Sequence, residues 1–211
     1  MEVTNNRDGS SEQNGKGNEL FPVFFRMDKL HVVVIGGGAV GMEKVGAILR
    51  NSPAANIKVI APDIRQEIND LVTLHKGLEL HYKHYESTDL DGSDLIIAAT
   101  CIHELNAQIH QDAKQKRILI NIADTPDTCD FYLSSIVQKG NLKIAISTNG
   151  KSPTFAKRIR ELLEETLPDG MDNILQQLNQ IRNKLTGDFD FKVKRMDEIT
   201  KSLNQEKNRN D

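Results

Sequence analysis

Residues 30–41, LHVVVIGGGAVG, decide the fold, because a run of β-branched residues leads directly into clustered glycines. The run Leu30–Ile35 predicts a strand that is buried on both faces of a parallel sheet. A helix should follow from about Val40 to Arg50, with apolar residues along one face. A glycine turn between a buried strand and a helix is typical of nucleotide-binding α/β proteins.

Each glycine of the G-x-G-x-x-G pattern has a predicted role. Gly36 permits the tight turn, Gly38 lets a pyrophosphate approach the backbone, and Gly41 lets helix and strand pack closely. Free N–H groups at the start of the helix, around Ala39 and Val40, favour phosphate groups. The sequence therefore predicts a dinucleotide site at this turn. The alternative is a glycine turn without a ligand.

An acidic residue about twenty positions after the glycines should meet the ribose hydroxyls. Asp63 follows Gly41 by 22 residues. The second strand is predicted at Ile57–Ala61, so Asp63 lies slightly beyond the usual position, and it could equally cap a helix reaching Leu74. The nearest arginine is Arg65 and none stands at the predicted strand tip, which favours NAD over NADP.

The alternation of strand and helix continues toward the C-terminus and predicts a parallel sheet with helices on both faces. The further strands are predicted at Leu78–Tyr82, Leu95–Ala99 and Ile118–Ile122, with a helix at Glu104–Lys116. Ala99 and Thr100 end the fourth strand with small residues, over which a cofactor could pass. Asn106 begins the next helix and is a further candidate cofactor residue, the alternative being a solvated helix residue.

The pattern changes after Asp124. The segments Phe131–Val137 and Leu142–Ser147 predict a β-hairpin. Ser152 as cap and Pro153 as first helical residue then predict a helix start. The C-terminal helices are predicted at 153–167, 171–185 and 191–203.

The composition favours a soluble, cytoplasmic protein. The chain has 211 residues, 27% charged, and a net charge of −3, which disfavours nucleic acid as a partner. It has no apolar run long enough to span a bilayer, and residues 1–19 have no apolar core for a secretory signal. The two cysteines, Cys101 and Cys129, match no zinc spacing or disulfide framework, and Cys129 is interpreted as a small buried apolar residue.

Several segments together resemble the family of precorrin-2 dehydrogenases and sirohydrochlorin ferrochelatases, the NAD-binding part of siroheme synthases. The match covers about residues 20–167, and its combination of segments is more specific than the glycine motif alone. The segments are Leu20–Phe24, Val34–Val40 with Lys44, Val59–Pro62, Ile97–Thr100, Leu105-Asn106, Asn121–Pro126, Cys129–Phe131 and Ile146–Pro153.

The resemblance implies that the protein oxidises precorrin-2 to sirohydrochlorin with NAD, and some members also insert ferrous iron. It implies a homodimer whose strands and helices after the Rossmann domain pack across the two-fold axis. It implies four segments: a polar N-terminus at 1–18, expected to be disordered; an NAD-binding Rossmann domain at 19–124; dimerisation strands at 125–150; and a helical C-terminal domain at 151–211.

The resemblance also assigns residues to the reaction. Asp124 matches the candidate general base, which is a metal-site residue in bifunctional members. Without the resemblance, Asp124 in Asp-Thr-Pro-Asp is better explained as a turn residue. The segment 147–153 matches the part that holds tetrapyrrole carboxylates, although by itself it could be a plain capping loop. The expected substrate-binding residues are Thr148, Asn149, Gly150, Lys151 and Ser152.

Two other functions remain open. A non-enzymatic NAD-binding redox sensor would use the same glycine motif, and a dehydrogenase for another small substrate would share the fold. The sequence has no dense ligand cluster for a metal. Of the six scattered histidines, His103 lies nearest the predicted cofactor edge.

Overall fold

The computed structural model of the protein describes residues 17–123 and 125–201. The proposed base, Asp124, lies outside the described residues. The N-terminal segment that the sequence predicts to be disordered also lies outside them, except for residues 17 and 18.

The described chain has seven strands, six α-helices and three short 3-10 helices, and they confirm the predicted α/β class, hairpin and C-terminal helices. The strands are β1 (His31–Gly37), β2 (Asn56–Ile64), β3 (Leu78–Tyr82), β4 (Leu95–Ala98), β5 (Leu119–Ile122), β6 (Ser135–Lys139) and β7 (Leu142–Ile146). The helices are α1 (Ala39–Asn51), α2 (Gln66–Val72), α3 (His103–Lys116), α4 (Pro153–Thr166), α5 (Met171–Lys184) and α6 (Phe189–Thr200).

Five parallel strands form the main sheet in the order β3-β2-β1-β4-β5. Both faces of the central strand are buried, as its β-branched run predicts. Val34 packs on one face with Val45 of α1, and Val33 packs on the other with Ile109 of α3. The chain reverses its direction across the sheet between β1 and β4, and in such sheets ligands bind beyond the carboxyl ends of the strands at this point.

Strand β2 is longer than predicted and reaches Ile64, which pairs with Gly37. The register shifts between Ile35 and Gly37, and this irregularity lets the ladder continue past Pro62. The prediction that Asp63 caps the next helix was wrong, because α2 begins after Arg65. Asp63 instead belongs to the end of the strand.

The segment after β5 covers the outer edge of that strand. The amide of Asp130 donates to the carbonyl of Ile120 at 2.8 Å, and a carboxylate oxygen of Asp130 accepts from the Ile120 amide at 3.0 Å. Further along, the Sγ atom of Cys129 accepts from the amide of Ile122 at 3.1 Å. These contacts satisfy backbone groups that an open edge would leave unpaired.

The same cover shortens the hairpin. The side-chain amide of Asn121 donates to the carbonyl of Phe131 at 2.8 Å and holds the chain against β5. The sequence predicts that the first hairpin strand starts at Phe131. This start is wrong, because β6 begins only at Ser135.

The C-terminal region begins with the predicted cap. The hydroxyl of Ser152 accepts from the amide of Phe155 at 3.2 Å, and Pro153 is the first residue of α4. Asp188 caps α6 in the same way, so this helix starts at Phe189 and not at Phe191 as predicted. Within the described ranges, no helix has both the length and the hydropathy needed to cross a bilayer.

Asp130→Asn tests how much the covered edge stabilises the fold. Burial acts to raise the pKa of the Asp130 carboxyl, but hydrogen bonds from Lys114 and from the Ile120 amide outweigh it and hold the pKa below its ordinary value. Such a carboxyl stabilises the fold above its unfolded-state pKa of about 4, and this stabilisation is lost as the pH falls through the folded-state pKa. We expect the variant to lose about 1 kcal/mol at pH 7 in urea denaturation, and less below about pH 4.

Asp91→Asn is the matched control. Asp91 also pairs with a lysine, Lys116, but its side chain is 63% exposed. Its removal should change the free energy of unfolding little at any pH. A loss in Asp130→Asn that is equally large at pH 7 and at about pH 3 would contradict the role assigned to this carboxylate.

Candidate active site

The glycine turn packs so closely that side chains are excluded from it. Gly36 has a φ of 118°, and a Cβ atom there would lie 2.4 Å from the carbonyl oxygen of Ala99 at the end of β4. A Cβ atom on Gly41 would lie 2.0 Å from the carbonyl oxygen of Gly36. The first and third glycines of the motif therefore do what the sequence predicts: they permit the turn and the close packing of α1 on β1.

Gly38 differs from its neighbours. A Cβ atom on Gly37 would lie 2.4 Å from the backbone oxygen of Asp63, whereas one on Gly38 would meet no described atom within 4 Å. Gly38 is exposed and directly precedes α1, with Ala39 and Val40 in the first turn of that helix. The helix start thus presents backbone N–H groups to open space, which is the arrangement that binds phosphate groups.

The end of β4 forms the other side of this turn. The Thr100 hydroxyl donates to the amide oxygen of Asn106 at 2.7 Å, and the Asn106 nitrogen donates to the Thr100 carbonyl at 3.1 Å. Asn106 is only 6% exposed, so its interpretation as a solvated helix residue was wrong. These two hydrogen bonds hold the loop after Ala99 against the start of α3. They are consistent with a role of Asn106 in positioning that loop.

The tip of β2 lies beside the glycines. Asp63 is exposed, and its backbone contacts Gly37. Arg65, the nearest arginine, donates to Glu67 through two nitrogens, including a contact of 2.5 Å from Nη2. Both side chains of this pair are about half exposed.

A cavity of about 360 Å³ lies between the carboxyl end of β5, the hairpin and the start of α4. Most of the residues in its wall are small or carry a hydroxyl group. It is lined by Lys44, Asn121, Ile122, Ala123, Pro126, Cys129, Tyr132, Leu133, Ser134, Ser135, Ile146, Ser147, Thr148, Gly150, Pro153 and Ala156. Because Ala123 is a lining residue, the cavity adjoins the chain position of Asp124.

Cys129 was interpreted as a small buried apolar residue, but its thiol also contacts polar backbone groups. The thiol is half-buried and lies within 3.3 Å of the Ile122 carbonyl and 3.4 Å of the Thr125 carbonyl. Burial raises the pKa of the Cys129 thiol, against the opposing effects of the Ile122 amide and the positive charge of Lys44. The thiol therefore acts as a neutral hydrogen-bonding group beside the Ile122 and Thr125 carbonyls.

The loop between β7 and α4 brings together two of the five predicted substrate residues at the cavity. Thr148 and Gly150 line it, while the Thr148 hydroxyl is hydrogen-bonded to the backbone of Ser152 at 3.1 and 3.2 Å. Asn149 and Gly150 have left-handed φ values of 54° and 73°. Asn149 and Lys151 are exposed and are not among the lining residues, and Ser152 is used as the cap of α4.

The described residues contain no group of three or more His, Cys, Asp or Glu side chains that could hold a metal ion. His103 begins α3 and is exposed. Asp124 is not among the residues on which this finding rests.

Most of the lining residues were not predicted as site residues, and Asn121 and Lys44 are two of them. Asn121 is 7% exposed in β5 and donates to Phe131. Its signal in the sequence is a lone polar residue inside an apolar parallel strand, since buried polar groups need partners. Lys44 lies on α1 one turn after Val40, so helical spacing places it on the side of the glycine turn.

Comparisons with known proteins agree with this geometry. A family described as "Putative NAD(P)-binding" matches residues 23–135, and one described as "Sirohaem biosynthesis protein central" matches residues 139–166. The solved structure of "SirC, precorrin-2 dehydrogenase" has a TM-score of 0.67 and 26% sequence identity, covering 85% of this chain and 89% of that one.

Two curated relatives are named siroheme synthase. The one from Psychrobacter arcticus is 40% identical over 82% of this chain, and the one from Pseudomonas fluorescens is 34% identical over 80%. The chain spans only 30% and 36% of the length of these two proteins. The resemblance found in the sequence is thereby confirmed, and the chain belongs to the putative NAD(P)-binding family whose match spans more than half of it.

Proposed function

We propose that this protein is an NAD-dependent dehydrogenase that converts precorrin-2 to sirohydrochlorin in siroheme or cobalamin biosynthesis. The observation that carries the proposal is the cavity at the carboxyl end of β5, which lies on the same edge of the sheet as the open glycine turn. The similarity to SirC over 85% of the chain supports the same substrate. We also propose that the protein is located in the cytoplasm.

The residues at the glycine turn fit a dinucleotide. Gly38, Ala39 and Val40 would hold the pyrophosphate through backbone N–H groups, and Asp63 would accept hydrogen bonds from the ribose. Gly36 and Gly41 would shape the turn. Ala99 and Thr100 would border the cofactor, with Asn106 holding their loop. The acidic Asp63 lies at the tip of β2 and Arg65 lies beyond the end of that strand, which favours NAD over NADP.

Oxidation of precorrin-2 removes a hydride and a proton, so the site must accept both. NAD, when bound, accepts the hydride. Asp124 would take the proton as general base, because its chain position directly follows Ala123 in the cavity wall. Thr148 and Gly150 would bind substrate carboxylates from the opposite wall, and Asn149, Lys151 and Ser152 would shape or extend that loop.

We propose that a second copy of this chain covers the C-terminal region. Helices α5 and α6 contain no buried residue, and the hairpin is not hydrogen-bonded to the main sheet. Phe155 and Leu162 of α4 are 58% and 56% exposed. Exposed apolar side chains of this density are typical of interfaces. The segments at 125–150 and 151–211 would thus be the dimerisation strands and the helical domain, beside the Rossmann domain at 19–124.

Sedimentation of the full chain tests this arrangement. At micromolar concentration we expect a dimer, because burying the exposed apolar side chains of α4 to α6 removes them from water. Phe155→Ser should shift the equilibrium toward monomer. A wild-type chain that sediments as a monomer at this concentration would contradict the proposed homodimer.

The function is tested by mixing the protein with NAD and precorrin-2. We expect equal amounts of NADH and sirohydrochlorin, and slower turnover when NADP replaces NAD. Cofactor binding without product would favour the redox sensor instead.

Ferrochelation of sirohydrochlorin is a second activity that the family resemblance implies, with Asp124 as the metal-site residue. Repeating the assay with ferrous iron and following siroheme formation tests it.

Asp124→Asn separates catalysis from cofactor binding. The amide cannot take a proton as the carboxylate does, so we expect turnover of precorrin-2 to fall about 10²- to 10⁴-fold. The affinity for NAD, measured by calorimetry, should stay within about twofold, since Asp124 is not assigned to the dinucleotide.

Asp127→Asn is the matched control, because Asp127 is exposed in the adjacent turn at Pro126–Thr128. It should leave turnover near the wild-type value. Wild-type turnover in Asp124→Asn would refute the assignment of the general base.

A further inference from the structure

One basic side chain enters the cavity from α1. Among the described lining residues, Lys44 is the only one that carries a charge at neutral pH. Its side chain is 21% exposed, so most of it is packed. Its positive charge is close enough to the Cys129 thiol in the cavity wall to act on the pKa of that thiol. Neither the glycine motif nor the proposed proton transfer uses this residue.

The ion pair of Lys44 leaves it able to bind another anion. Its Nζ atom lies 3.0 Å from a carboxylate oxygen of Glu43, which is its only ion-pair partner in the described part of the chain. The Glu43 side chain is 66% exposed, and such solvent-screened pairs contribute little. An ammonium has three N–H donors, so one bond to Glu43 leaves two for a ligand.

The rest of the wall suits an anion as well. Ser147 contributes a hydroxyl group just after β7, and Ser134 and Ser135 contribute two more at the start of β6. The Thr148 O–H is already donated to the Ser152 carbonyl. No described lining residue carries a carboxylate that would repel an acidic ligand. A cation opposite several hydroxyl donors matches the carboxylate groups around the rim of a tetrapyrrole.

We propose that the Lys44 ammonium binds a carboxylate of the tetrapyrrole and thereby selects polycarboxylate rings and sets their orientation in the cavity. This inference rests on the proposed function, because it assigns the substrate side of the same site. It also assigns Lys44 to the substrate and not to the cofactor phosphates.

Binding of uroporphyrin, a stable porphyrin with eight carboxylates, tests the inference without turnover. The full chain is titrated by fluorescence as wild type, Lys44→Gln, Lys44→Arg and Glu43→Gln. We expect Lys44→Gln to weaken binding about tenfold, the cost of one charge-assisted hydrogen bond. Lys44→Arg should restore most of the affinity. Glu43→Gln should bind at least as tightly as wild type, because it removes a competing carboxylate.

The dependence on salt and on NAD gives two independent readouts. The affinity of the wild type for uroporphyrin should fall more steeply with salt than that of Lys44→Gln, since one ionic contact is missing in the variant. NAD affinity should be the same in all four proteins, which also shows that the variants fold. Unchanged uroporphyrin affinity in Lys44→Gln, or a loss confined to NAD, would overturn the inference.

Steady-state kinetics separates this inference from the proposed function. If the wild type oxidises precorrin-2, Lys44→Gln should raise KM about tenfold with kcat near normal, as expected for a uniform binding contact. Failure of the wild type to oxidise precorrin-2, together with Lys44-dependent uroporphyrin binding, would refute the function and keep the anion site. Normal KM and affinity in Lys44→Gln would refute the anion site and keep the function.

Discussion

The close approach of three backbone segments at the end of β1 is the constraint on which the rest of the structure depends. Gly36 contacts Ala99 just after β4, Gly37 contacts Asp63 of β2, and Gly41 contacts Gly36 across the start of α1. A single Cβ atom at any of these positions would force strands or helix apart. Because these contacts fill the space at three of the four glycines of this turn, Gly38 is the one among them with open space, and it directly precedes α1. The turn thus both closes the sheet and leaves one anion-binding position.

The cavity also depends on the segment after β5, which covers the outer edge of that strand. Asp130, Cys129 and Asn121 hold the segment after β5 against that strand with backbone and side-chain hydrogen bonds. The cover directs the chain into the hairpin and so places Thr148 opposite β5. A cofactor turn near β1 and a substrate wall beyond β5 therefore share one edge of the sheet, as open α/β sheets generally arrange them.

Most of the fold could be predicted because its signals are local. Valine-rich β1, the glycine spacing and the cap formed by Ser152 before Pro153 each specify their own geometry. The errors arose where tertiary contacts override local chemistry. Pro62 suggested that β2 ends, but the irregular register at Gly36 allows it to continue to Ile64. Phe131 has strand propensity, yet its carbonyl is taken by Asn121. Asn106 could equally have been a solvated helix residue by its spacing, but it is buried and hydrogen-bonded to Thr100.

The candidate site was predicted less completely, because its wall combines segments far apart in sequence. The helical spacing of α1 alone could not show that Lys44 lines the same cavity as the end of β7. The sequence of the loop at 147–152 could not show which of its residues line that cavity. The most direct measurement is a crystal structure of the protein with NAD and uroporphyrin. We expect the pyrophosphate at the Gly38 amide, the nicotinamide pointing toward β5, and the porphyrin in the cavity beside it. A dinucleotide bound elsewhere, or a nicotinamide directed away from that cavity, would contradict the shared site.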